Sequence, residues 1–391
     1  MSESIATQSA TRPFEFKGAG GEFFKIWIVN VLLSVITLGI YSAWAKVRTN
    51  RYFYGNTFFD GASFEYHATG WQIFKGRIIA AIAFAIYIII NQFFPLVGIG
   101  LTLILVLASP WIIWSSYRFH ARMASYRQVR FSFDGGLGTV YKYILLLPFL
   151  PAVALGLIIG VAWLINGTVG GMVAMFLGPV AIISIYAMGP YIQALMYRYH
   201  VNNLHYGQGN FSANIRIGVF FKTYLVILGV FLLFAAIFGA IGFASGLGAL
   251  FSLQNGSGSG LDSNLFNIAF LGGYLLVFAF SFWARSYMEA RINNHVFNEL
   301  KLDNALNLHS NLKVKSLFWI HLTNLFLVIF TIGLAIPFIK VRLAKYRANS
   351  TSGTLTQDLE HYVSLQQQKQ SALGEELGGT FDIQGDLGLS L

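Results

Sequence analysis

The chain is long, apolar and poor in charge. Its 391 residues are 55% hydrophobic and 16% aromatic, and only 11% are charged, against about 25% in an ordinary soluble domain. So few charges cannot cover the surface of a soluble protein of this length, and several apolar runs reach the ~18 residues needed to cross a bilayer. The composition excludes a set of soluble domains and predicts an all-α polytopic membrane protein.

The net charge is +10, from 26 Lys and Arg against 16 Asp and Glu. A basic excess usually reflects binding to nucleic acid, binding to anionic lipid, or a signal of membrane topology. The chain contains no cysteine, which excludes disulfides, thiolate metal sites and cysteine nucleophiles.

Composition divides the chain into three parts. Residues 1–13 are polar and lack the charged and apolar regions of a cleavable signal peptide, so we expect a disordered N-terminus. Residues 14–347 are predicted to form one integral membrane domain. Residues 348–391 are polar and acidic, which predicts a flexible tail with a short helix around 359–370.

One short pattern recurs five times within the membrane domain. Each copy opens with a large apolar residue in a segment of alternating apolar and polar residues, and it usually closes on an aromatic-Lys pair. Such alternation is typical of a short extended segment, so we expect five repeat units with short extended segments on the cytoplasmic side. The five units begin near Phe14, Phe64, Phe131, Phe211 and Leu306.

A second, basic and aromatic pattern follows each apolar stretch, and in it Tyr126 and Tyr206 are matched with Tyr54 and Phe297. The clearest internal match joins the first and last units at a constant offset of 294 positions. The matched pairs include Asn30 with Asn324, Thr37 with Thr331, Gly39 with Gly333, Lys46 with Lys340, and Arg48 with Arg342.

The apolar stretches have two lengths. In units two to four each runs for about 40 residues and is split by a turn, at 91–95, 166–171 and 244–264. Each stretch is therefore predicted to be a pair of spanning helices, at about 20 residues per span.

The first and last units have stretches of only half that length, at 26–45 and 318–339. Each contains a break in its middle, with the sequence TLG at 37–39 and TIG at 331–333. Two topologies remain: eight spans, or six spans plus two short re-entrant hairpins.

The distribution of charge favours the re-entrant hairpins. The turns inside the long stretches carry almost no charge, and the basic clusters lie at the opposite ends. Because cytoplasmic loops carry the excess of Lys and Arg, eight spans would place the last basic cluster outside the cell. We therefore predict six spans plus two hairpins, with both termini in the cytoplasm.

The segment TLGIYSAWAKVRTNRYFYGNT, preceded by FEFKGAGGEFFKIWIVN, resembles the signature region of the YjgN family of bacterial inner-membrane proteins. The segment GEELGGTFDIQGDLGL is similar to the C-terminus of that family. This resemblance covers nearly the whole chain and implies a multi-pass protein of the bacterial inner membrane. The family is a domain of unknown function, so it implies no substrate, cofactor or catalytic residue.

The residues do not predict an enzyme, a metal site or a cofactor. No apolar span contains an acidic residue, and Glu289 lies beside Arg285 and Arg291, where a local ion pair explains it better than catalysis. His200 and His205 are five positions apart, which does not place both rings on one helix face. Every basic cluster adjoins an apolar span, which favours lipid phosphates over nucleic acid as its partner.

Two sets of residues are candidates for binding. Broken helices with polar groups near mid-membrane form the substrate sites of transporters, although each Asn could instead bond the backbone freed at its own break. The candidate solute site comprises Asn30, Thr37, Gly39, Asn324, Thr331 and Gly333.

The second set is a cationic cytoplasmic face that could contact an anionic solute or lipid headgroups, although the positive-inside rule alone also explains it. It comprises Lys46, Arg48, Arg51, Arg118, Arg122, Arg198, Arg291, Lys340 and Arg342. The leading functional hypothesis is a transporter or channel-like protein for a small solute. The alternative is an anionic-lipid-binding, scaffold or accessory membrane protein. Membrane lipids are the expected partner, and the oligomeric state stays open.

Overall fold

Ten short antiparallel strands close into a barrel in the computed structural model, which describes residues 10–254 and 263–369. The prediction of an all-α fold is therefore wrong, because the extended segments pair with one another into a complete sheet. Their lengths explain the error. Four of the strands have only three residues, which is too short for an alternating pattern to identify them.

The strands follow one another around the barrel in sequence order, and β1 pairs with both β2 and β10. Closure leaves no sheet edge exposed. The strands are β1 (Ala10–Phe16), β2 (Thr57–Phe59), β3 (Ala62–Tyr66), β4 (Ala124–Tyr126), β5 (Val129–Phe133), β6 (Leu204–Tyr206), β7 (Gly209–Ala213), β8 (Leu300–Leu302), β9 (Leu306–Ser310) and β10 (Thr351–Leu355).

Each sequence repeat is a strand, a set of helices and a second strand that pairs with the first. Tight turns join one repeat to the next, and left-handed backbone at Asp60 (φ 45°) and Gly61 (φ 77°) forms the turn between β2 and β3. Two such residues in succession are typical of a two-residue hairpin that matches the twist of its strands. Because all strands are antiparallel, the helical connections join one end of the barrel and the tight turns the other.

The register corrects one sequence match. The last residues of β2, β4, β6 and β8 pair with the residues that open the repeats, as in Phe59 with Phe14 and Tyr126 with Phe64. The counterparts of Tyr126 and Tyr206 are therefore Phe59 and Leu302 rather than Tyr54 and Phe297. The sequence match was off by five positions because it aligned these segments on the basic residues at the helix ends.

Large side chains fill the barrel. Phe59, Tyr126 and Tyr206 are buried, and the Tyr126 hydroxyl donates to the Phe59 carbonyl at 2.7 Å while the Tyr206 hydroxyl donates to the Tyr126 carbonyl at 2.9 Å. Gly353 leaves room for these rings, since a Cβ there would lie 2.7 Å from Phe59 and Leu306. The barrel interior is thus a packed core.

The helices are α1 (Gly20–Ile36), α2 (Ser42–Gly55), α3 (Gly70–Phe93), α4 (Pro95–Met123), α5 (Leu137–Tyr141), α6 (Leu147–Ile165), α7 (Gly167–Asn202), α8 (Ile217–Gln254), α9 (Ser263–Glu299), α10 (Val314–Phe330), α11 (Ile336–Asn349) and α12 (359–369). A π-helical turn (Lys142–Leu146) connects α5 to α6. The predicted turns at 91–95 and 166–171 fall where α3 and α6 end. Part of the predicted turn at 244–264 lies outside the described residues.

Among the described residues, five helices are long and apolar enough to cross a membrane. They are Gly70–Phe93, Pro95–Met123, Leu137–Ile165, Gly167–Asn202 and Ile217–Ala240. In each, at most 11% of the residues in the most apolar window are buried, so most of these apolar side chains are at least partly exposed.

Contacts divide the chain into two compact units. The first comprises Met1–Ile215, Val296–Ser310 and Ile336–Leu391 and contains all ten strands. The second comprises Arg216–His295 and Asn311–Ala335, and includes α8 and α10.

Helix α12 packs on the turns of the barrel within the first unit. It buries Leu359, Tyr362 and Val363, a spacing that places them on one helix face. Its polar contacts reach three different turns: the Tyr362 hydroxyl donates to Asp303 Oδ2 at 2.6 Å, the Gln208 amide donates to Gln366 Oε1 at 2.8 Å, and Gln367 Nε2 donates to the Arg127 carbonyl at 2.8 Å. The helix predicted around 359–370 is thus present, and it covers the end of the barrel that carries the tight turns.

Replacing Tyr362 by Ala tests this packing. The change removes a buried ring and the bond to Asp303, and we expect it to cost about 2–4 kcal/mol of unfolding free energy. Leu365→Ala is the matched control, because Leu365 is on the same helix but exposed. Limited proteolysis of the purified protein should cut α12 faster in Tyr362→Ala than in Leu365→Ala. Equal rates would show that α12 does not pack on the barrel.

The buried tyrosines predict a loss of stability in alkali. Burial raises the pKa of Tyr126 to about 12 and raises the pKa of Tyr206 and Tyr362 as well. A pKa raised in the folded state gives stability that is fully present below the unfolded pKa, about 10, and is lost as the pH rises toward 12.

The melting temperature should therefore fall between about pH 10 and pH 12. In Tyr126→Phe we expect a lower melting temperature at neutral pH, because the Phe59 carbonyl loses its donor, but a shallower alkaline slope, by about 1.4 kcal/mol per pH unit. An unchanged slope in this variant would contradict the assignment.

Candidate functional site

The predicted break in the first repeat unit is a turn between two helices. The Thr37 hydroxyl donates to the Leu33 carbonyl at 2.7 Å and accepts from the Tyr41 amide at 2.9 Å. Leu38 (φ 49°) and Gly39 (φ 91°) then adopt left-handed backbone. Thr37 and Gly39 thus serve the turn itself, in which the chain leaves α1 and enters α2.

The break in the last repeat unit has the same geometry, residue by residue. The Thr331 hydroxyl donates to the Leu327 carbonyl at 2.6 Å and accepts from the Ala335 amide at 3.0 Å. Ile332 (φ 50°) and Gly333 (φ 87°) match Leu38 and Gly39. The offset of 294 positions found in the sequence therefore reflects the same local structure.

Both turns end in an exposed apolar tip. Leu38 and Ile332 are each 94% exposed. Left-handed backbone is unfavourable for residues with a Cβ, and most of all for branched ones, so a glycine or asparagine would relax the turn. Both turns nevertheless place a large apolar side chain at this position.

Asn30 is buried in α1 with only part of its amide paired. It is 4% exposed, its Nδ2 donates to the Ala45 carbonyl at the long distance of 3.4 Å, and its Oδ1 has no hydrogen-bond partner in the described part of the chain. An unpaired buried acceptor costs about 1–3 kcal/mol. Asn30 is therefore poised to accept a further hydrogen bond.

Asn30 forms part of the wall of an open cleft between α1, α2 and α11. Its volume is about 560 Å³. The buried pair Phe23 and Val341, and the Phe24 and Phe338 rings with centroids 5.9 Å apart, pack α11 against α1. The lining residues are Trp27, Asn30, Val31, Ser34, Val35, Ser42, Ala45, Lys46, Thr49, Asn50 and Lys340.

The cleft is cationic. Lys46 and Lys340, which the offset of 294 relates, both line it, and neither has an acidic partner among residues 10–254 and 263–369. A third cation lies beside it, since Arg77 Nη1 donates to Ser42 Oγ at 2.5 Å. Sequence reasoning missed Arg77, because nothing in its pattern relates α3 to the turn that precedes α2.

Asn324 belongs to the second compact unit, where it is buried on α10 together with His321. His321 Nε2 lies 3.4 Å from Glu289 Oε2, and both side chains are about nine-tenths buried. Glu289 therefore has a partner on α10 that the sequence interpretation, based on neighbouring arginines, did not include. The sharing of one site by Asn30 and Asn324 stays a prediction.

Several arginines of the predicted cationic face make bonds inside the fold. Arg51 donates to the Ala68 carbonyl at 3.1 Å and Arg198 to the Ile215 carbonyl at 2.6 Å. Each bond spans 17 residues and joins a helix end to the loop after the next odd strand. In the second compact unit, the Asn294 side chain makes a similar bond, from Nδ2 to the Leu312 carbonyl at 2.9 Å.

Other members of that set have local partners. Arg48 donates to the Tyr41 hydroxyl at 3.1 Å, and Arg118 stacks over the Trp114 ring at 4.6 Å. Arg291 lies 5.5 Å from the centre of the Tyr287 ring. Arg122 is exposed and lines a separate cleft, and Arg342 is exposed on α11.

The arginines bonded to carbonyls should matter for stability. We expect Arg51→Ala and Arg198→Ala each to lower the unfolding free energy by about 1–3 kcal/mol, because a partly buried carbonyl loses a charged donor. Arg122→Ala removes an equal charge from the surface and should leave the melting temperature unchanged. Equal melting temperatures in all three variants would show that these bonds do not stabilise the fold.

Comparison with known proteins supports the membrane assignment. A family model described as "Bacterial protein of unknown function (DUF898)" matches residues 11–380. Inner membrane protein YjgN of Salmonella typhimurium (strain LT2) is 29% identical over 347 residues, which are 86% of this chain and 87% of that protein.

Proteins of the same name from Escherichia coli O157:H7 and Escherichia coli K12 are each 26% identical over the same shares of the two chains. No solved structure matches the chain. The apolar helices and these relatives identify a membrane protein and confirm the resemblance to YjgN. The chain belongs to the DUF898 family of bacterial proteins of unknown function, and its relatives include the inner membrane proteins YjgN.

Proposed function

We propose that this protein binds phospholipid of the inner membrane from the cytoplasmic side. In this proposal the long helices cross the membrane, the barrel lies in the cytoplasm, and the two breaks form hairpins that enter the cytoplasmic leaflet without crossing it. The observation that carries the proposal is the pair of equivalent tips, Leu38 and Ile332, each 94% exposed.

The cost of exposed apolar tips in water supports insertion. Transfer of a Leu or Ile side chain out of water contributes about 1.5–3 kcal/mol, and residues next to both tips are exposed and apolar as well, Ile36 and Phe330 among them. A soluble surface would relax this arrangement with polar residues. A lipid leaflet stabilises it.

The length of α1 supports insertion to half depth. The helix has 17 residues, about 25 Å at 1.5 Å per residue, and Lys25 lies in its second turn. The apolar part that remains is well short of the ~30 Å hydrocarbon core. α10 has the same length, so the same limit applies to the last unit.

The basic residues support the orientation. Lys46 on α2 and Lys340 on α11 each lie within about two turns of a tip, where a hairpin at this depth would meet phosphate groups. Each Lys or Arg near an anionic surface contributes about 1 kcal/mol. The positive-inside rule then assigns this face, and both termini, to the cytoplasm.

Cysteine labelling tests the depth and side of the hairpin, since the chain has no cysteine of its own. We expect Leu38→Cys to be shielded from a membrane-impermeant maleimide in intact cells and in inside-out vesicles, and to be labelled after detergent is added. Ser350→Cys, the matched control, should be labelled in inside-out vesicles alone. Labelling of Leu38→Cys or Ser350→Cys from outside intact cells would contradict the proposal and favour a full span.

Passage of a small solute is a second candidate. The unpaired Oδ1 of Asn30 beside an open cleft is the feature that favours it, because transporters place such groups in broken helices. The low burial of the long apolar helices that the structure describes favours lipid binding instead, since a solute pathway needs helices packed around it. Solute uptake by reconstituted vesicles that is lost in Asn30→Ala would favour transport.

A further inference from the structure

We infer that the cleft between α1, α2 and α11 binds the headgroup of one phospholipid molecule, and that it selects headgroups that carry a hydrogen-bond donor. This inference rests on the proposed lipid function and names the site and the ligand chemistry. Three features of the cleft lead to it: its cations, its unpaired acceptor and its apolar side.

The cations fit a phosphate diester. Lys46 and Lys340 approach the cleft from two different helices, and Arg77 lies behind Ser42. None of the residues that line the cleft is an Asp or a Glu, so no carboxylate of the lining competes for these charges. Lysine binds phosphate as a mobile point charge, which suits a headgroup that arrives from the membrane.

The unpaired acceptor fits a donor on the same ligand. Asn30 Oδ1 has no partner in the described residues, while Nδ2 already faces the Ala45 carbonyl. Oδ1 is buried in the wall of the cleft, and rotation of the Asn30 side chain toward the cleft would let it accept from an ammonium or hydroxyl group. Ethanolamine and glycerol headgroups carry such a donor next to the phosphate, whereas the trimethylammonium of choline does not.

The apolar side of the cleft fits the rest of the lipid. Val31 and Val35 line it along α1 and continue toward the exposed tip at Leu38. Trp27 lies one helical turn before Asn30, as aromatic side chains do at the level of the headgroups. A volume of about 560 Å³ holds a headgroup, while the acyl chains stay in the leaflet beside the hairpin.

Native mass spectrometry after reconstitution tests the site. The intact protein would be placed in nanodiscs that contain equal amounts of phosphatidylethanolamine, phosphatidylglycerol and phosphatidylcholine, then released, and the retained lipid identified. We expect the first two to be retained about tenfold over phosphatidylcholine, the ratio that one hydrogen bond of about 1.4 kcal/mol provides.

Variants assign the two contacts. Asn30→Leu should abolish the preference with little change in the melting temperature, since it removes an unpaired acceptor and only one long hydrogen bond, from Nδ2 to the Ala45 carbonyl. A merely structural Asn30 would instead leave the preference and change the melting temperature. Lys46→Gln and Lys340→Gln should each lower retention of all three lipids severalfold. Lys345→Gln, an equal change at an exposed position of α11 outside the cleft lining, should have no effect.

Equal retention of phosphatidylcholine by the unaltered protein, or a preference that survives in Asn30→Leu, would overturn the inference. Displacement of the lipid by soluble glycerol phosphate at equal concentration would also overturn it, because the ligand would then be a free phosphate ester. If lipid selectivity fails while Leu38→Cys stays shielded in membranes, the headgroup site is wrong and membrane insertion stands. If Leu38→Cys is labelled as well, the proposed function itself fails.

Discussion

The pairing of the first strand with the last is the interaction on which the rest of the structure depends. Ala10 to Pro13 of β1 pair with Leu355 to Ser352 of β10. This pairing joins segments almost 350 residues apart and removes the two edges that an open ten-stranded sheet would expose. It also brings α11 beside α1, and therefore creates the cleft around Asn30. The pairing of β1 with β10 thus completes both the barrel and the candidate site.

The barrel makes five repeats of one plan serve different purposes. Every repeat returns its chain to the same end of the sheet, so the length of each helical insertion can vary without disturbing the strands. Long insertions supply helices that can cross the bilayer, and the short first repeat supplies a hairpin with an apolar tip. The barrel turns at the opposite end are covered by α12, which ties three of them together.

The sequence predicted structural features that depend on neighbouring residues and missed those that depend on contacts between distant segments. The breaks at Thr37 and Thr331 and the helix near residue 359 depend on neighbouring residues, and the sequence predicted each of them. The barrel depends on pairing between segments dozens to hundreds of residues apart, and three-residue strands carry no periodic signal. The bond from Arg51 to Ala68 and the position of Arg77 beside Ser42 were missed for the same reason.

Disulfide trapping between β1 and β10 tests the closed barrel most directly. Thr11 and Thr354 are paired in register, with their hydroxyl oxygens 3.2 Å apart, and the chain has no other cysteine to interfere. Thr11→Cys with Thr354→Cys should form an intramolecular disulfide under mild oxidation, whereas Thr11→Cys with Lys301→Cys, on β8, should not. Failure of the first pair to form the bond, or equal trapping of both pairs, would contradict the closure from which the cleft and its proposed ligand follow.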